Sequence, residues 1–430
     1  MVQQADTTNE QLVPSTLEQL LATLPPSDNP EADQLVLSLI TDPDVRANPY
    51  PIYRQLREMA PVHSGAFFWF LTSYDACDKA VHHPALVRRH GEAWEIRAQV
   101  QGSAGRRWFE AQDRSMLWLD PPDHRRIRGL VSKAFTPRYI EQLRPKVESL
   151  VTEQLDRLAS MGKADLIGDF ALHLPMSVIC EMLGIPSEDR DSFRKWTVAI
   201  AAVFEPFPSA TVQDAADEAT DAFEEYFNEL IPRRRENPGE DLMSLMIQAE
   251  DEGDRLTREE LIASATLLLG AGFETTTNLI GNGTYALLKN RDQWELLVQE
   301  PELAKGAVEE LLRYDSPVQI ATPRVANAEI EIKGTKIGEA ETVLAVTGAG
   351  NRDPKRYADP DRLDIRRENV DPLSFGGGAH FCLGAALARM EASIAFEAMA
   401  RRIPNLELAA EPTYRPTLNI RGLNSLEVTV

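Results

Sequence analysis

The chain is short of cysteine, of positive charge and of long apolar runs, and each shortage removes a class of protein. There are three cysteines in 430 residues, Cys77, Cys180 and Cys382. They offer no disulfide framework, so a reducing compartment, and with it a cytoplasmic location, is expected. Cys77 and Cys180 stand alone, and no Cys/His pairs at ligand spacing complete a four-ligand zinc site. Lys and Arg number 45 against 67 Asp and Glu, a net charge of -22. Such a chain repels phosphates, which argues against nucleic acid as a partner. The first basic residue is Arg46. Without Lys or Arg before it, neither a secretory leader nor an Arg-rich transit peptide is expected. Apolar-rich stretches such as 263–272 are far too short to span a bilayer, so no membrane anchor is expected.

What is present is apolar material for a large core, 43% of the residues. Residues 1–40 read as a partly flexible arm, polar and acidic, with Pro25-Pro26. Leu17, Leu20 and Leu21 have the spacing of a short amphipathic helix. Residues 41–430 read as a single domain. A helical pattern runs from Tyr50 to Met59, and residues 62–71 read as a hairpin rich in β-formers. Helical patterns dominate 120–315, with turn chemistry at Gly184-Ile185-Pro186, Asn237-Pro238-Gly239 and Gly253-Asp254. Short alternating strands follow at 324–326, 329–332 and 342–346, and 418–430 again reads as strands. The expected class is mainly α with small β-sheets (α+β).

One stretch carries more information than the rest: Phe375-Gly376-Gly377-Gly378-Ala379-His380-Phe381-Cys382-Leu383-Gly384. It is a glycine-rich bend that ends on a cysteine and runs into a helix. Glycines let a backbone pass close to a flat cofactor. Free N–H groups and a helix N-terminus aimed at the sulfur favour thiolate over thiol. A phosphate loop is excluded, because no Gly-Lys-Ser/Thr follows the glycines. A merely buried thiol, the ordinary fate of a free cysteine, leaves the five matched neighbours of Cys382 unexplained. The stretch resembles the cysteine-loop signature of cytochrome P450s, Phe-Gly-x-Gly-x-His-x-Cys-x-Gly, at all six fixed positions. The resemblance covers roughly 41–430. It implies the P450 fold, with haem b between a long central helix and the cysteine loop. By the same resemblance Cys382 is the iron ligand, and Phe375, Gly376 and Gly384 lie against the cofactor.

An apolar helix runs from about Leu261 to Ile280. Glu274 and Thr275-Thr276-Thr277 inside it cost stability unless satisfied, and Gly270 and Gly272 weaken it by about 1 kcal/mol each. Threonine can take the i−4 carbonyl, and Ala271 and Thr275 share a face. The local reading is a kinked core helix. Ala271-Gly272-Phe273-Glu274-Thr275-Thr276 also resembles the P450 acid–alcohol motif, which places Ala271 at the cofactor. By that resemblance Thr275 hydrogen-bonds dioxygen and Glu274 relays protons to it, while bulk water is kept out.

Haem propionates need cations. His124 and Arg128 lie at i and i+4 and resemble the family's propionate contacts, as do Arg324 and His380. Glu310 and Arg313 match the Glu-x-x-Arg pattern, with Arg362 as third member; that triad is structural in the family. Arg125, Arg126, Arg128, Lys133 and Arg138 form an acid-free run, approached by Arg366 and Arg367, and read as a docking face for an acidic ferredoxin.

The resemblance also points to pocket residues: Leu86, Val87, Trp94, Phe204, Leu267, Leu268, Ala271, Val318, Gln319, Ile320 and Ile420. Their apolar character implies an apolar small organic substrate. Arg88, Arg89, His90 and Arg97 read either as exposed loop charges or as contacts to a carboxylate or sugar. The expected activity is a haem-thiolate monooxygenase using O2. Its electrons come ultimately from NAD(P)H through ferredoxin reductase and ferredoxin. Alternatives are a peroxide-driven peroxygenase, disfavoured by Glu274-Thr275, and a non-catalytic haem-binding partner protein.

Overall fold

The longest helix is fixed at its start by a capping box. Thr257 Oγ1 accepts the N–H of Glu260, and the Glu260 carboxylate accepts the N–H of Thr257. Helix Arg258–Lys289 follows, 32 residues and thus about 48 Å long. Beyond the expected end at 280 it continues with Gly281, Asn282, Gly283 and Thr284 all buried. A helix covered this fully must cross the core. In this computed structural model, which describes residues 28–65, 68–205, 207–251 and 256–430, it packs against helices His173–Met182, Arg190–Ala202, Ala304–Tyr314 and Ala385–Arg402. The leucines at 17–21 and the turn at Gly253-Asp254 lie outside the described residues.

Three small sheets flank the helices. The largest runs in the order Val62–Ser64, Trp69–Leu71, Thr342–Ala345, Arg324–Ala326, Leu86–Val87. Its hairpin pairs Val62 with Leu71, and its one parallel step pairs Phe70 with Leu344. Lys163–Asp165, Glu427–Thr429 and Glu407–Leu408 form the second sheet, and Ile330–Ile332 with Thr335–Ile337 the third. The mainly α, small-sheet class is therefore the observed one.

Two expectations need correction. Within the expected arm, Pro30–Thr41 is a helix capped by Asn29, and its Ala32, Val36 and Leu39 are buried with Phe70 and Leu344. Of 418–430, only Glu427–Thr429 is a strand. The backbone before it is spent on irregular contacts: the N–H of Arg421 goes to Pro317 O and that of Arg415 to Gly422 O. Single bridges join Val318 to Ile420 and Tyr414 to Leu423. Among the described residues no helix is long and apolar enough to cross a membrane.

Candidate active site

The cysteine loop closes on itself through main-chain bonds. The N–H of Cys382 donates to Phe375 O at 2.9 Å, that of Gly376 to Leu373 O at 2.9 Å, and that of Phe381 to Gly378 O at 3.1 Å. Gly376 and Gly378 both have φ of +65°, which only glycine adopts freely. Helix Tyr74–His82 presses on the loop. A Cβ on Gly378 would lie 2.7 Å from the carbonyl oxygen of Val81, and one on Gly377 2.5 Å from the His82 ring. Arg389, paired with Glu309, stacks 4.4 Å from the Phe375 ring and braces the loop from the following helix.

Cys382 opens onto an internal cavity of about 520 Å³. Its side chain is exposed to that cavity, yet the protein enclosing it desolvates the sulfur and pushes its thiol up; the N–H groups of Gly384 and Ala385 and the cations Arg128 and Arg389 pull it back only in part. The donors expected from the sequence are thus in place, but desolvation outweighs them. Bonding to a metal ion is what removes the proton from such a sulfur.

The same cavity is lined by Ala271, Glu274 and Thr275 of the central helix. Thr275 donates its hydroxyl to Ala271 O at 2.7 Å, the i−4 bond anticipated from the sequence. Glu274 is 6% exposed. Its Oε1 meets Arg415 Nη1 at 2.6 Å, while Oε2 is buried without a partner. Arg415 also donates to Asn278 Oδ1 at 2.8 Å, so one guanidinium ties acid and amide together. Burial raises the Glu274 pKa and Arg415 opposes the rise. Sequence reasoning missed Arg415, 141 positions away, and no local signal marks it.

Comparisons with known proteins give the family. The family model described as "Cytochrome P450" matches residues 80–407. The chain is a cytochrome P450. It is 42% identical to Cytochrome P450 107B1 of Saccharopolyspora erythraea, over 87% of this chain and 93% of that one. It is 39% identical to the polyketide biosynthesis cytochrome P450 PksS of Bacillus subtilis, over 89% and 96%. Among solved structures, that of P450BioI with a hexadec-9Z-enoic acid-ligated acyl carrier protein superposes with a TM-score of 0.83. Its sequence identity is 35%, and the match covers 91% of this chain and all of that one. Relatives named as monooxygenases and hydroxylases make the chain an oxidoreductase that incorporates oxygen.

A P450 carries haem, and the residues here fit it. His124, Arg128, Arg324 and His380 converge beside the cysteine loop. The rings of His124 and His380 are 4.2 Å apart, Arg128 donates to Phe381 O at 2.6 Å and Arg324 to Gly377 O at 3.4 Å. His124 Nε2 and Arg324 Nε are buried without partners. Burial and the neighbouring arginines lower the His124 pKa to about 4. A positive pocket with orphaned donors is what two carboxylates would satisfy.

Of the expected pocket residues, Phe204, Leu267, Leu268, Ala271, Val318, Ile320 and Ile420 line the cavity of this P450. Four do not. Leu86 and Val87 are consumed by strand pairing with Ala326 and Val325. Trp94 is stacked on Phe109 at 4.7 Å, with the Arg89 guanidinium over its ring. Gln319 is 1% exposed and donates to Ser316 O and Tyr50 Oη. Trp108, Met116 and Ile200 also line it, inside the segments 85–117 and 195–210 that the family resemblance points to, and so does Ile262, which sequence reasoning missed. Nothing in their immediate sequence separates them from ordinary core residues.

The loop cations also differ from the simple expectation. His90 meets Glu339 at 2.8 Å near the surface, and Arg89 pairs with Asp113 at 3.0 Å. Arg97 is not an exposed charge; it packs 3.8 Å from the Trp118 ring centroid. Arg88 is 5% exposed. Arg362 does not complete the triad. Its side chain is exposed and meets Asp364 at 2.6 Å. Arg367 takes that place at 3.2 Å from Glu310, whose carboxylate also holds Arg313 at 2.7 and 2.8 Å. Arg126 is held by Glu260 and Asp123, and the exposed Arg366 by Glu300, so the exposed cations of the expected docking face outside those pairs are Arg125, Lys133 and Arg138.

Over the cavity, the Glu205 carboxylate accepts the N–H of Leu418 at 2.7 Å and of Asn419 at 3.0 Å. Gln101 donates to Glu205 O at 3.4 Å, and Asn419 Nδ2 to Phe204 O at 3.5 Å. Three distant segments are joined there.

Proposed function

We propose that this P450 hydroxylates or epoxidises an apolar acyl or polyketide chain. Electrons would pass from NAD(P)H through a ferredoxin reductase and a ferredoxin. The observation that carries the reading is that Cys382 and the Glu274–Thr275 pair open on one largely apolar cavity. Cys382 would ligate the haem iron through its thiolate, and the group would supply dioxygen activation there. His124, Arg128, Arg324 and His380 would hold the propionates, and Phe375, Gly376, Gly384 and Ala271 would leave room for the ring. Glu274 carries a proton on its unpartnered Oε2 while Arg415 fixes Oε1, and Thr275 passes it toward the oxygen side. The pair argues against a peroxide-driven enzyme, which usually lacks it.

The acyl or polyketide class follows from the apolar lining together with what the relatives' names say of them. The test is an optical titration of the ferric protein, following the Soret band. Ligands would be long-chain fatty acids free and on an acyl carrier protein, macrolactones, terpenes and steroids. A high-spin shift with the acyl or macrolactone group is expected; a shift with terpenes or steroids alone overturns the class. Thr275→Ala should keep electron consumption and divert it to hydrogen peroxide, whereas full product coupling refutes the role. Docking of an acidic ferredoxin at Arg125, Lys133 and Arg138 predicts that their charge reversal slows reduction and weakens its salt dependence; unchanged kinetics refute it.

A further inference from the structure

Arg88 has no role in the reading above, yet it lines the cavity and is 5% exposed. Its Nη1 donates to the carbonyls of Thr322 at 2.5 Å and Pro323 at 2.9 Å. Nε is buried with no partner. A buried guanidinium is strongly unfavourable without a carboxylate. The carboxylate that acts on it, Asp120, is engaged instead by the main-chain N–H groups of Arg88 and Arg89 at 2.9–3.0 Å. Arg88 also faces like charge: Arg324 acts on it directly, and Arg88, Arg324 and Arg128 all bear on His380. Among these groups the four guanidiniums of Arg88, Arg97, Arg128 and Arg324 face the one carboxylate of Asp120 and leave a net positive charge. That is the sign that haem propionates offset.

We propose that Arg88 is a further ligand of the haem propionates, offering its free N–H groups, with Asp120 setting the charge balance. The proposal rests on the haem placement given above. A carboxylate-bearing substrate presents the same chemistry, but Arg88 is bonded to the carbonyls of Thr322 and Pro323, beside Arg324 in the chain, and this favours the cofactor.

The test is haem transfer from the ferric holoprotein to excess apomyoglobin. Arg88→Gln should speed transfer on the order of tenfold, as for loss of one charged hydrogen bond, and Arg88→Lys less. Arg89→Gln is the neighbouring control and should leave the rate unchanged. Reconstitution with haem dimethyl ester, whose propionates are neutral, should abolish the difference between wild type and Arg88→Gln. A difference that persists with the ester means Arg88 acts through the fold, and overturns the proposal. So does an unchanged rate with haem, or a selective loss of affinity for a fatty acid over its methyl ester. His124→Ala and Arg324→Gln separate the two levels of failure. If they speed transfer and Arg88→Gln does not, Arg88 alone is misassigned; if none does, the propionate placement itself is wrong.

Discussion

The cysteine loop and the substrate-side wall share one cavity but present different parts of the chain to it. The loop is main chain against main chain: amide to carbonyl bonds, two positive-φ glycines and a helix at van der Waals distance. The opposite wall lines the cavity with side chains of segments about a hundred residues apart, such as Phe204, Val318 and Ile420, and the main-chain bridge between the last two leaves those side chains free to vary. Backbone contacts tolerate few residue types at each position. Side-chain contacts tolerate many of similar volume. The loop should therefore be brittle to substitution and the wall plastic.

The strongest test of brittleness is the carboxylate under the loop. Glu310 and Arg313 are 0% exposed, and Glu310→Gln leaves buried guanidiniums unpaired, a loss of about 3–5 kcal/mol. Urea unfolding of the holoprotein measures it. Arg362→Ala should change little, and an equal loss there would restore Arg362 to the triad in place of Arg367. Next come the glycines. Gly376→Ala and Gly378→Ala share the same φ, at about 1–2 kcal/mol each. Only a Cβ on Gly378 meets the Val81 carbonyl; one on Gly376 meets nothing within 4 Å. Gly378→Ala should accordingly lose more stability and more haem, and equal losses would remove the Val81 contact as a cause.

An effect that depends on pH is expected at Glu391, on the helix after the loop. It is 2% exposed, faces the cavity, and burial pushes its carboxyl up to about 8 from an ordinary 4.5. Between about pH 4.5 and 8 the folded protein holds this proton and the unfolded chain does not, so stability falls as pH rises through that window. Glu391→Gln removes the titration. Its stability relative to wild type should climb by up to about 1.4 kcal/mol per pH unit there, seen as a thermal midpoint gain larger at pH 8 than at pH 5. A pH-independent difference would contradict the assignment. On the plastic side, Ile420→Ala should weaken ligand binding by about 1 kcal/mol, or several-fold in Kd, with little change in thermal midpoint.

The same contrast explains what could be read from the chain alone. Cys382 with its glycines, and Ala271 through Thr276, are contiguous, because local backbone geometry demands particular residues at fixed spacing. Arg415 on Glu274, Arg367 on Glu310 and the burial of Arg88 are products of tertiary packing, and nothing beside them in sequence reports it. Trp94 misled for the same reason: an aromatic residue near a pocket segment is equally suited to stacking behind it.

The tie at Glu205 has an evolutionary side. Its carboxylate grips the amides of Leu418 and Asn419, which every residue but proline supplies. Ile420, whose side chain takes no part in the tie, can therefore be exchanged, re-lining the cavity for a new ligand, without unfastening the segments joined there. An enzyme so fastened can drift in substrate preference at this turn while its enclosure is inherited unchanged.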